Sequence, residues 1–448
     1  MDLKSKLRAI VQPSQGRPSL GAGDSRRSAG EGGGLRELTY EPDTGGYEAG
    51  PSIDRVCEQL GARKSRNAFG QCLVIDRRYE SDRWHGDVRI GECELDDLSH
   101  LRVLDPALEL GRGRTVFIDL ETTGLSGGAG TVAFLVGCGY YDLGAFQVRQ
   151  FLLTSHSAER ALLTAVAEFF DDADLIVTYN GKTFDVPVME TRWLFHRMEM
   201  PLDGVPHFDA LHTARRLWKA RGDETVDGGC RLSTLERTLF DVRRIGDVGG
   251  FEIPSRFFHF VRTGDARPLE PVLEHNRLDL VSLAAVTARA VRLVEAGADG
   301  CPDEQQALAL GRIYERAGLL DRAELCYRRA ANAQTLDAKT EALYRLSLRY
   351  RRSKRFDEAA SCWQSIVSLT SSRSARRNRI AAALREFAVE ALAIHHEHRE
   401  QDLTAARELA LFALEEGIDS RRVDSYRHRL ARLDRKLARK ENAQLFSS

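Results

Sequence analysis

The chain has 448 residues and a formal charge of −1, from 65 Lys and Arg against 66 Asp and Glu. That balance excludes a uniformly basic nucleic-acid coat and an acidic tail protein, while leaving local patches open. A hydrophobic content of 42% over this length suits two or three domains with a sizeable core. No apolar run approaches the roughly 18 residues that a membrane span needs. The charged N-terminus (Met-Asp-Leu-Lys-Ser-Lys-Leu-Arg) lacks the apolar core of a secretory signal. Eight scattered cysteines form no Cys-x-x-Cys pair, which argues against a zinc ribbon and a disulfide framework. A soluble, cytoplasmic protein without membrane contact is expected.

In chain order, residues 1–10 predict a short helix. Residues 1–50 as a whole read as a disordered tail, rich in Gly, Ser, Arg and Pro from Val11 onward. Residues 51–113 read as a β-rich extension, with a strand at Cys72–Asp76 and a hairpin strand over 85–97. From Thr115 the pattern changes to strands alternating with helices, the signature of an α/β domain over 114–296. Strands are predicted at Thr115–Glu121, Thr131–Tyr141, Ala145–Leu153 and Leu175–Tyr179, and helices at Ala158–Phe170 and from about Asp185 to His196. Ser233 and Glu236 have the spacing of a helix capping box. Gly297–Asp303 reads as a linker, and 301–440 carries only amphipathic helix.

That last region repeats. Leu310, Gly311, Tyr314, Gly318, Ala323, Tyr327 and Ala330 are answered at a constant offset by Leu346, Ser347, Tyr350, Lys354, Ala359, Trp363 and Ile366. The pattern resembles the tetratricopeptide repeat, which implies an all-α helical solenoid with a concave surface suited to a protein partner. A third unit over 392–414, with Ala405 at the packing position, is weaker.

Three elements carry chemistry. Asp119 and Glu121, two apart on a predicted strand, send both carboxylates to one face, where they require a cation or a proton. Asp185 follows Asn180-Gly181-Lys182-Thr183-Phe184 at a strand-to-helix turn, where a lone Asp is ordinarily an N-cap. His275 and Asp279 stack one turn apart on a late helix, a pair that could equally lie on the surface.

Together, and in this order, Asp-x-Glu-Thr-Thr-Gly, Asn-x-x-x-Phe-Asp and His-x-x-x-Asp resemble the DEDD group of 3′–5′ exonucleases, built on the ribonuclease H-like α/β fold. The resemblance implies that Asp119, Glu121, Asp185 and Asp279 bind two Mg²⁺ or Mn²⁺ ions, hard cations suited to oxygen donors. It implies that Glu121 and His275 are catalytic, with His275 orienting or deprotonating water. His275 precedes Asp279 by three intervening residues, the spacing of the Tyr-bearing branch rather than the His-bearing one. The Asn-x-x-x-Phe-Asp spacing is similar to the proofreading domains of family B DNA polymerases. Asn180 and Lys182 become candidate contacts to the substrate backbone, and Thr122 and Gly124 a turn facing the 3′ terminus. Asp209 and His212, one helical turn apart, either line the site or cap a helix.

A fuller resemblance covers about 114–290. Asp119 to Gly137, Phe208-Asp209-Ala210-Leu211-His212 with Arg215-Arg216-Leu217-Trp218, Gly250 to Pro254, and His275-Asn276 to Leu283 are similar to the bacterial YprB-type ribonuclease H-like family. It implies a metal-dependent 3′–5′ exonuclease acting on single-stranded DNA or RNA. The alternatives are a nuclease-like fold that only binds nucleic acid or serves as a scaffold, and an endonuclease using the same site.

Other motifs fail on context. Gly181-Lys182-Thr183 imitates the end of a P-loop, but Ile176 stands where glycine is required. Gly128-x-Gly130-x-x-Ala133 imitates a dinucleotide fingerprint but precedes a predicted strand. His395-His396-Glu397-His398 reads as a solvated helix face rather than a metal site. By count, 114–296 carries 20 basic against 25 acidic residues, and 301–448 carries 28 against 21. The overall neutrality therefore sums an acidic domain and a basic one.

Overall fold

The computed structural model describes residues 53–111, 113–124, 130–219, 230–372, 377–415 and 420–445. The helix and tail expected over 1–50 lie outside these residues, as does Gly128 of the imitation fingerprint.

A mixed seven-stranded sheet forms the first layer. Its strands are β1 (Arg63–Asn67), β2 (Gly70–Tyr79), β5 (Arg114–Thr122), β6 (Ala133–Asp142), β7 (Ala145–Leu152), β8 (Ala173–Thr178) and β9 (His207–Asp209), with the short pair β3 (Trp84–His85) and β4 (Val88–Arg89) apart from it. The order is β1-β2-β7-β6-β5-β8-β9. β5 pairs antiparallel with β6 and parallel with β8, so it lies inside the sheet. β2 pairs along β7 from Leu73↔Leu152 to Tyr79↔Phe146, so the strand expected at Cys72–Asp76 in a separate extension continues the same sheet.

Alternation along β5 divides the core. Val116, Ile118 and Leu120 face one side, with helices α1 (Ile53–Leu60), α2 (Glu159–Phe170), α3 (Asp185–Phe195) and α6 (Ile253–Thr263) contributing to the cluster there. Phe117 faces the other, which α4 (Ala210–Leu217), α5 (Leu232–Phe240) and α7 (Glu270–Ala296) cover. At 27 residues α7 is about 40 Å long. Asp119 and Glu121 share the α7 side with Phe117 by the period of two.

Among the described residues, the helices that follow are α8 (Glu304–Arg316), α9 (Leu320–Ala330), α10 (Leu336–Arg352), α11 (Phe356–Leu369), α12 (Arg379–His395), α13 (Leu403–Glu415) and α14 (Ser420–Leu445). The repeat seen in the sequence has a conformational counterpart. Gly318 and Lys354, equivalent positions, both take left-handed φ, at +78° and +60°. After them Leu319 N donates to Tyr314 O at 2.9 Å and Arg355 N to Tyr350 O at 2.8 Å, the same turn made twice. Tyr327 and Trp363 are both buried beside Ala323 and Ala359.

Sequence expectations outside the carboxylate site need correction at three places. The hairpin strand over 85–97 shrinks to β3–β4, because Gly91 N bonds Ser81 O and the chain tightens into a 3₁₀ turn that buries Ile90 and Cys93. The linker at Gly297–Asp303 is a packed turn: Arg329 donates to the carbonyls of Ala298 and Cys301, both at 2.6 Å, and Asp303 caps α8. His395 is buried and Glu397 lies inside a cage of Arg429, Arg432 and Lys436, so only His398 of the run keeps an exposed side chain, and the run passes into a π-helical turn over His396–Glu400. All eight cysteines are unpaired, and no helix among the described residues is long and apolar enough to cross a membrane.

Candidate active site

The site forms where β5 ends and α7 crosses it. One rung of the sheet sets its floor: Asp119 pairs with Gly137 on β6, and Gly137 with Gln150 on β7. Over this rung lies the fully buried side chain of Asn276, from α7. Its Nδ2 donates to Asp119 Oδ2 at 2.7 Å and to the Asp119 carbonyl at 3.1 Å, while its Oδ1 accepts from Gln150 Nε2 at 2.8 Å. Gly137 makes room: a Cβ there would stand 2.1 Å from Asn276 Oδ1.

Asp185 enters from the end of β8. That strand stops at Thr178, so Leu120 N on β5 lacks a ladder partner, and Asp185 Oδ1 accepts from it at 3.2 Å. Phe184 is the N-cap of α3 and makes no side-chain bond there, so the ordinary capping role proposed for Asp185 does not occur.

Asp119, Glu121, Asp185 and Asp279 come together electrostatically. Burial, then the charges of Asp279, Glu121 and Asp185, push the Asp119 carboxyl well above its ordinary value. Burial and the charges of Asp279, Asp185 and Asp247 do the same to Glu121. Asp185 is raised to about 7, chiefly by burial. Such a cluster calls for positive charge.

Part of it is supplied from within by Arg244, a residue the sequence reading missed. Its side chain is 6% exposed and bonds Asp279, Glu236 through two 2.8 Å contacts, and Asp247 at 3.2 Å. Glu236 also accepts from Ser282 Oγ at 2.6 Å, so the capping box does not form: the buried guanidinium draws Glu236 away from the helix start, and Ser233 is not the N-cap. Asp247 lies 2.7 Å from His275 Nδ1, and His275 Nε2 is 3.7 Å from Asp279 Oδ2. Nδ1 also faces Arg244 Nη1 at 3.4 Å, so the ring stands between Asp247 and Arg244 on one side and Asp279 on the other. Arg244 and Asp247 lie between α5 and α6 in an irregular stretch whose only sequence signal is a dense run of charge.

The remaining predicted residues form two turns. Thr122 Oγ1 donates to the Gly124 carbonyl at 2.8 Å, fixing the strand exit. Asn180 takes a left-handed φ of +70°. Asp209 accepts from the backbone N–H of Asn180 at 2.9 Å and of Lys182 at 3.0 Å, and also caps α4 through Leu211 N, the capping role foreseen for it. Lys182 Nζ is 3.3 Å from Asp105, outside the carboxylate cluster.

Among the described residues no three His, Cys, Asp or Glu side chains are gathered into a closed metal cage. The donor set nevertheless fits hard divalent cations: four carboxylates within mutual electrostatic reach, three of them with raised pKa values.

Residues 116–291 match the family described as "RNase_H superfamily". Across most of its length the chain is similar to the uncharacterized protein YprB of Bacillus subtilis (strain 168): 30% identity over 374 residues, covering 82% of this chain and 86% of the relative. The chain belongs to the YprB-type ribonuclease H-like family. Among solved structures it resembles loosely the family B DNA polymerase of the hyperthermophilic archaeon Pyrobaculum calidifontis, at 13% identity and a TM-score of 0.32. That match covers 55% of this chain and 30% of the polymerase.

Proposed function

We propose that the protein is a divalent-metal-dependent 3′–5′ exonuclease that hydrolyses phosphodiester bonds of single-stranded DNA or RNA. The observation that carries this reading is the group of four carboxylates, three of them held in unfavourable proximity by β5 and α3. A fold under no demand for charge at that point would gain by replacing them. Superfamily membership also suggests a nuclease.

Asp119, Glu121, Asp185 and Asp279 would hold two Mg²⁺ or Mn²⁺ ions, which when bound would neutralise the phosphate and acidify water. Asn276 fixes one oxygen of Asp119, leaving the other free to ligate. His275 would accept the proton of the attacking water at Nε2, with Asp247 holding the ring and balancing the imidazolium charge. Thr122, Gly124, Asn180 and Lys182 would bind the terminal nucleotides. The helical region, read as tetratricopeptide-like, would offer a surface to a protein partner.

A second reading, a non-catalytic nucleic-acid-binding or scaffold protein, rests on one contact: Arg244 is bonded to Asp279 and would have to yield it. Purified protein with Mn²⁺ or Mg²⁺ should shorten a 3′-exposed oligonucleotide, and Asp119→Ala or Asp279→Ala should abolish this. No metal-stimulated cleavage of DNA or RNA of any end structure would leave the second reading standing.

A further inference from the structure

The helical region carries one edge on which positive charge is left unanswered. The turns α8–α9, α10–α11 and α12–α13 lie side by side there. Arg349 reaches back to Asp321 at 2.7 Å and Arg355 to Glu324 at 2.8 Å, tying the second turn to the first. Arg399, at the end of the third, stacks over Phe356 at 3.9 Å, tying the third to the second. These contacts consume the local acids: Glu324 is paired with Arg328, Arg349 and Arg355, Glu358 with Arg355, and Glu315 with Arg345. Asp357 sits in the first turn of α11, where the helix N-terminus suits it. Arg316, Arg351, Arg352, Lys354 and Arg399 remain exposed, with no carboxylate partner among the described residues.

Two further observations point to a polyanion. Lys354 holds a left-handed φ of +60° at the position where the preceding hairpin has Gly318. The second turn therefore presents an exposed cation where the first presents none. The edge also leads toward the carboxylate site. α8 packs on α4, and Arg216, whose pKa is lowered by burial and by the charge of Arg316, also feels Asp105, the partner of Lys182. Lys182 belongs to the loop that Asp209 braces beside Asp185.

We propose that this basic rim, formed by Arg316, Arg351, Arg352, Lys354 and Arg399, binds the body of a single-stranded nucleic acid whose 3′ end enters the carboxylate site. Binding along the rim is independent of cleavage; the placement of the 3′ end rests on the nuclease reading. A flexible single strand can follow separated cations around successive turns, which a stiff duplex cannot.

The test is fluorescence anisotropy of the full chain with a long single-stranded oligonucleotide in EDTA, comparing wild type with the variant Arg351→Ser/Arg352→Ser/Lys354→Gly. Three lost phosphate contacts should flatten the logarithmic salt dependence by about 2, at roughly 0.7 per contact. Binding at low salt should weaken on the order of tenfold or more, with the melting temperature unchanged or raised. With metal, the variant should show a raised KM on the long strand and unchanged kcat/KM on a trinucleotide too short to reach the rim. Unchanged affinity and salt slope overturn the proposal. So does tighter binding of duplex than of single strand, or equal binding of an acidic peptide of matched charge. Asp119→Ala should bind like wild type. If wild type never cleaves but the rim variant loses binding, the nuclease reading falls and the rim stands.

Discussion

Asn276 spans the gap between α7 and β5 to donate a 2.7 Å hydrogen bond to Asp119 Oδ2, and it reaches there only because Gly137 beneath it has no side chain. Gly137→Ala must displace Asn276, an overpacking worth about 1–3 kcal/mol. Asn276→Ala leaves Gln150 Nε2 one acceptor short and Asp119 without its donor, at about 1–3 kcal/mol. Denaturant melts should show both losses, and metal affinity should fall in both. A Gly137→Ala protein with wild-type stability and affinity would refute this arrangement.

Asp185 gives a pH dependence with a defined sign. Its folded pKa is raised from the ordinary 3.8 to about 7, first by burial. The folded chain therefore holds a proton that the unfolded chain releases, and the metal-free protein loses stability as pH rises through that window. Asp185→Asn, which keeps an acceptor for Leu120 N, should melt a few degrees higher than wild type at pH 7.5, with the advantage vanishing toward pH 4. Added Mg²⁺ should raise the wild-type melting temperature and leave the variant's nearly unmoved. A variant less stable than wild type at pH 7.5 contradicts the account.

Arg244 is expected to be structural as well as local to the site. Arg244→Met strands Glu236 in the interior without its cation, at about 3–5 kcal/mol. The double variant Glu236→Gln/Arg244→Met should recover most of that loss in a double-mutant cycle. A double variant whose loss equals the sum of the two single-variant losses would show that the pair is not coupled.

A second buried ion group lies away from the site. Glu159 meets Arg192 at 2.6 and 2.5 Å and His196 at 2.8 Å. Burial pushes its carboxyl up, but the bonds from Arg192 and His196 outweigh this and hold it below the ordinary value. A lowered folded pKa contributes stability that is present above the unfolded pKa, near 4.3, and is lost as pH falls through the folded one. Glu159→Gln should cost stability at pH 7 and show a shallower loss on acidification than wild type in parallel melts.

The strand and helix framework of the α/β domain was legible because β5, β6, β7, β8 and α3 are long, periodic and local in origin. Asp119 and Glu121 could be read as a pair because a period of two is a property of one strand. Arg244 and Asp247 could not, because they come from a stretch with no period and are placed by what packs around them. Glu236 misled for the same reason: its spacing from Ser233 is right for a cap, but a guanidinium from a distant segment competes for it. The pairing of β2 with β7 is non-local and left no mark in the sequence. The offset of the helical hairpins did, since Gly318 and Lys354 must both close the same turn.

The central claim is metal-dependent removal of nucleotides from a 3′ end. It is tested most directly by following a 5′-labelled single strand with Mn²⁺ under single-turnover conditions. The account predicts a ladder shortening one nucleotide at a time, abolished by EDTA, by a blocked 3′ terminus and by Asp119→Ala. A strand that stays intact, or internal cuts with no dependence on the 3′ end, would contradict it.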